Sequence, residues 1–222
     1  MHAEFKLLMD KGDSFDAPSF LETEIDSFLN IAQDKFVTKR AFGNNIRRTT
    51  FEEDQKRRDD LRTLVKNSQQ TVLSSSVSNK PNARFVSLPV DYRHIINEEA
   101  IIQTDGEADS SRRVGVKPIS HDRYNRIIDD PFNKPDKDTV YRLEFGGSEF
   151  ANLVELICGE NQTPQTHILR YISNPSTIAP DVNCVLPDHT HKEIVKMAVV
   201  EALENVEQPR YQSSKIELNE IE

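Results

Sequence analysis

The chain has 222 residues, enough for one generous domain or two small ones. Its formal net charge of −9 excludes the basic footprint by which nucleic-acid binders usually hold phosphates. Only 36% of residues are hydrophobic and none is tryptophan, against roughly 45–50% apolar in ordinary globular domains, so the core is expected to be thin and completed in part by neighbouring chains.

The two cysteines, Cys158 and Cys184, have no CxxC spacing and read as buried thiols of a chain made in a reducing compartment rather than as a disulfide. No apolar run approaches the roughly 18 residues of a membrane span, and no signal-peptide pattern opens the chain. No membrane binding and no classical export are expected.

In chain order, HAEFKLLMDKG predicts a short helix with Phe5, Leu8 and Met9 on one side and Gly12 as its stop. DSFDAP is a turn. The strongest helical pattern follows, opened by a Ser19/Glu22 capping box, in which each side chain satisfies an orphan N–H. Leu21, Ile25, Phe28, Leu29, Ala32 and Phe36 form its apolar stripe, Lys39 and Arg40 sit where positive charge suits the helix dipole, and Gly43 ends it. Thr50 and Glu53 mark a second capping box before FEEDQKRRDDLRTLVKN, a charged helix laced with acid-before-base pairs at i, i+4. It reads either as a solvated surface helix or as one that meets another subunit through its charges.

Residues 68–83 read as a polar linker with a Ser run and Pro81. Beyond it the period changes from 3.6 to 2: ARFVSLP, YRHIIN, AIIQT, RVGVKP, TVYRLEF, NLVELI and THILRYI are strand-length runs between turn residues. A short helix in SHDRYNRIIDDPFNKPD is expected to be capped by Ser120 and to stop before Pro131, and residues 105–112 form a hairpin tip. A last helix spans 187–206. Residues 207–222 are polar and have no reason to fold alone.

The expected fold class is α+β: a helical bundle from the N- and C-terminal helices with an inserted antiparallel β region over roughly 83–172. The corresponding divisions are 1–78, 79–182 and 183–222, the two helical parts forming one domain.

The chemical signals are weak. His189-Thr190-His191 has a ligand spacing for a strand, but it falls in the first turn of a helix, where ligands pair at i, i+3 or i+4 and no HExxH is present. It reads as a helix start, with Thr190 and Glu193 again spaced as a capping box. Asp136-Lys137-Asp138 reads as a loop, Asp129 and Asp130 as a helix end, and Gly146-Gly147 as a turn. His94, His121 and His167 are isolated and read as structural histidines. No catalytic residue, no metal ligand and no cofactor-binding residue is assigned, and no enzymatic activity is expected.

Four stretches carry a resemblance: APSFLETEIDSFLNIAQDKFV, FEEDQKRRDDLRTLV, VKPISHDRYNRIIDDPFNKPDKDTVYRLEF, and RYISNPSTI followed by CVLPDHTHKEIVKMAVVEALE. In this order, over about residues 16–206, they resemble structural proteins of the head–tail connector and tail rings of crAss-like, Bacteroidetes-infecting short-tailed phages. A more distant likeness is to the adaptors of short-tailed phages. The resemblance implies a virion protein assembled in the host cytoplasm and a cyclic ring of the chain with itself, commonly twelve copies. It also implies the portal protein and adjacent tail rings as partners, and DNA passing through the channel without sequence-specific binding. An acidic wall would let that DNA slide, since like charges repel. The competing expectation is a regulatory or protein-binding module outside the virion.

Overall fold

The computed structural model describes residues 1–9, 20–42, 51–77, 80, 82–104, 111–144, 152–205 and 215–216. Contacts divide the chain into two compact units, Met1–Leu64 with Pro175–Glu222, and Val65–Asn174.

The first unit is helical. Helices α1 (His2–Met9), α2 (Glu22–Phe42), α3 (Gln55–Leu61) and α5 (Asp188–Asn205) carry it. The α2 stripe buries Ile25, Leu29, Ala32 and Phe36, while Leu21 lies outside it and is exposed. Helix α5 packs on α2 and α1 through Ile194, Val195, Ala198, Ala202 and Leu203. Phe5, Phe20 and Phe28 make a three-ring cluster beside them, with ring centroids 5.5–6.3 Å apart, spacings at which aromatic pairs attract. Glu24 accepts the Leu21 N–H (2.8 Å) at the start of α2. The expected cap residues Ser19 and Thr50, the stops Gly12 and Gly43, and Gly146-Gly147 lie outside the described residues.

The charged helix expected over 51–67 is cut short. Residues Phe51–Glu53 form a 3-10 turn, Asp54 caps α3 by accepting the Lys56 N–H (2.9 Å), and a second 3-10 turn at Arg62–Leu64 hands the chain to a strand.

The second unit contains one eight-stranded sheet, in the order β1-β8-β4-β5-β6-β7-β3-β2. Its strands are β1 (Val65–Thr71), β2 (Leu73–Val77), β3 (Ala83–Ser87), β4 (Tyr92–Thr104), β5 (Arg112–Pro118), β6 (Thr139–Glu144), β7 (Leu153–Ile157) and β8 (Gln162–Ser173). The fold class expected from the sequence is therefore corrected. This is a mixed α/β protein in which the sheet is a unit in its own right, not an insert in a helical bundle. Nor is the sheet wholly antiparallel, because β5 and β6 run parallel, Val116 opposite Val140. A parallel pair needs a crossover, and α4 (Tyr124–Asp129) lies in it. The supposed linker 68–83 is mostly strand. β1 pairs with β8 over seven residues, from Val65↔Ile172 to Thr71↔Thr166; backbone bonds hold it, so its polar side chains hid it.

The two ends of the strand order are consecutive in the chain. Only Val72 separates β1 from β2, and two residues span at most about 7 Å, so the sheet curls until its outer strands meet. Val72 donates its N–H to Gln165 O (3.1 Å) and packs against the enclosed core of Val86, Ala100, Ile102, Val114, Val140, Val154, Leu156 and Cys158. Ala83, Tyr141, Leu143 and Ile157 face outward, under Tyr124, Ile127 and Ile128 of α4. Inward and outward residues alternate along β6 and β7, as strand geometry requires. The runs YRHIIN and AIIQT, read as two strands, are one 13-residue strand, β4, with register shifts at Tyr92/His94 and Ile95/Asn97.

Candidate assembly site

The motif residues turn out to be joints. Asn30 of α2 clamps the Ile178 peptide from both sides, its Nδ2 donating to Ile178 O (3.0 Å) and its Oδ1 accepting the Ile178 N–H (2.7 Å). One turn on, Gln33 Nε2 donates to Ser176 O (3.0 Å) and Gln33 Oε1 accepts from the Cys184 thiol (3.1 Å). The polar pair in FLNIAQ thus fixes the irregular segment that carries NPSTI.

The three residues of the His-x-His stretch serve three different partners. His189 Nε2 lies 2.9 Å from Asp60 Oδ1, Thr190 Oγ1 donates to Pro187 O (2.8 Å), and His191 Nε2 lies 2.9 Å from Leu186 O. The two imidazoles do not converge. Asp60 is 2% exposed, and its other oxygen meets Arg40 Nε at 2.8 Å. Arg40, itself 7% exposed, takes both oxygens of Glu193 on one nitrogen (2.7 and 2.8 Å) and stacks over Phe36. One guanidinium therefore ties α2, α3 and α5 together. Sequence reasoning gave Arg40 only a dipole role and Asp60 none. The available signal was Asp60 beside Leu61 on the narrow apolar side of a charged helix.

A second buried network lies inside the curled sheet. Arg142 of β6 meets Glu98 of β4 (Nη1–Oε1 2.9 Å) and Glu144 (Nη2–Oε1 2.8 Å), and Glu98 Oε2 lies 3.2 Å from His167 Nε2 of β8. On the outer face Glu155 is held by Lys80 (2.7 Å), which also sits over the Tyr124 ring. At the β3–β4 turn the Asp91 carboxylate accepts from Lys66 Nζ (2.6 Å) and the Tyr171 hydroxyl (2.8 Å). Lys66 is the main reason the Asp91 carboxyl is held below the usual range. Burial first, then Asp91, pushes the Tyr171 hydroxyl up to about 12.

The remaining sequence candidates are dispersed. His121 Nε2 lies 2.8 Å from Glu144 O, His94 lies in β4, Asp136 Oδ1 accepts the Asp138 N–H (2.9 Å), and Asp129 is exposed. Both thiols are free, in different units, and burial pushes Cys158 up to about 12, far from a reactive thiolate. Among the described residues no three His, Cys, Asp or Glu side chains are grouped as a metal ion would need.

A cavity of about 360 Å³ opens beside the loop after α4, lined by Ile128, Lys134, Pro135, Ile157, Gly159 and Gln162 among others. Phe132, two positions before the lining residue Lys134, is 95% exposed.

Compared with known families, residues 1–213 match the model of phage tail ring protein 3/4. The chain belongs to this tail ring family. Among curated relatives it is similar to ring protein 3 of Bacteroides phage crAss001, at 28% identity over 196 residues, covering 80% of this chain and 82% of the relative. It is about equally similar to ring protein 4/5 of the same phage, at 29% over 181 residues, 79% of this chain and 71% of the relative. For a tail ring protein the geometry above is coherent. Polar side chains at both networks cross-brace elements within a unit.

Proposed function

We propose that this chain is a non-enzymatic structural subunit of a phage tail ring, assembled in the host cytoplasm. Copies associate head-to-tail into a closed ring of twelve that joins the portal and neighbouring rings and encloses part of the genome channel. Cyclic closure needs a heterologous interface whose rotation returns to its start, and an acidic chain lets DNA pass without adhering. The observation that carries this reading is the family match over residues 1–213. The charged groups brought together in both units support it, because each already serves as an intrachain brace.

The test is mass spectrometry of purified virions followed by cryo-electron microscopy of their tails. The chain should be found in the particle, as rotationally repeated density around the tail axis, with twelve repeats. Its absence from particles would return the chain to the class of regulatory or binding modules outside the virion.

A further inference from the structure

We draw no further inference here: the strongest candidate, the outward stripe of α2 on which Ile31 and Phe42 are exposed and the hydroxyls of Ser27 and Thr38 bond back to their own helix, carries nothing because no feature of the structure shows what covers it.

Discussion

Arg142 and Glu98 meet inside the curled sheet, Nη1 to Oε1 at 2.9 Å, with the residues only 5% and 6% exposed. Two charges withdrawn from water this far are costly unless each keeps its partner, and removing one leaves the other stranded. Arg142→Met is expected to destabilise the chain by about 3–5 kcal/mol. The double change Arg142→Met/Glu98→Leu should recover part of that loss, because neither the guanidinium nor the carboxylate is left unpaired, although the buried His167 gives up its Glu98 partner. Urea unfolding of the three proteins checks it; a double variant as weak as the single one would contradict the account.

Asp60 and His189 provide the corresponding contrast in the helical unit. Asp60→Ala removes the carboxylate between Arg40 and His189 and is expected to cost about 3 kcal/mol. His189, with a side chain 58% exposed, should cost under about 1 kcal/mol when changed to Ala. Thermal and denaturant melts of both variants will show whether the histidine is a brace at the rim, as its geometry indicates.

Asp91 and Tyr171 predict opposite pH limits. The Asp91 carboxyl is depressed chiefly by Lys66, so its contribution to stability is present above the unfolded carboxylate range near 4 and is lost as pH falls through the lower folded value. The Tyr171 hydroxyl is raised to about 12. Its contribution is therefore complete below the unfolded value near 10 and fades as pH rises from there to about 12. Asp91→Asn should lie below wild type in stability at neutral pH and converge with it as the pH falls through the depressed carboxyl range. Tyr171→Phe should show less alkaline loss than wild type between pH 10 and 12. Denaturant midpoints across the pH range decide both.

Gly159 is a steric prediction. The Cβ of an alanine there would press on Pro135 O at 3.0 Å and Asp136 Cα at 3.2 Å, both backbone atoms that cannot swing aside. Gly159→Ala is expected to cost about 1–3 kcal/mol, whereas Gly115→Ala, which meets nothing within 4 Å, should be close to neutral by comparison. The difference between the two melting temperatures is the measurement.

The C-terminal segment 207–222 falls outside the described residues except for Lys215 and Ile216, the latter 61% exposed. Its few apolar residues stand among many polar ones and cannot offset about 1–2 kcal/mol per residue of backbone ordering. Deleting 208–222 should leave the melting temperature of the isolated chain nearly unchanged and impair assembly into particles. Unfolding of the truncated chain would show that the segment belongs to its own subunit's core.

The amino-acid sequence by itself determined the local elements that apolar periodicity specifies. The α2 stripe from Ile25 to Phe36, the last helix from Asp188, and most of the strands were legible because burial of one face imposes a period of 3.6 or 2. It also carried the family, through motifs whose polar members Asn30, Gln33, Asp60 and Asp130 act at joints. Tertiary structure alone decided the rest. β1 was hidden because its stability comes from backbone pairing with β8, which leaves Lys66, Asn67 and Gln69 free to be polar. The curl of the sheet follows from strand order, a non-local property set by which edges find each other. Arg40 with Asp60, and Arg142 with Glu98, lie 20 and 44 positions apart in the chain. Nothing local marks such charges as partners; only the packing that removes water from both makes the pair strong.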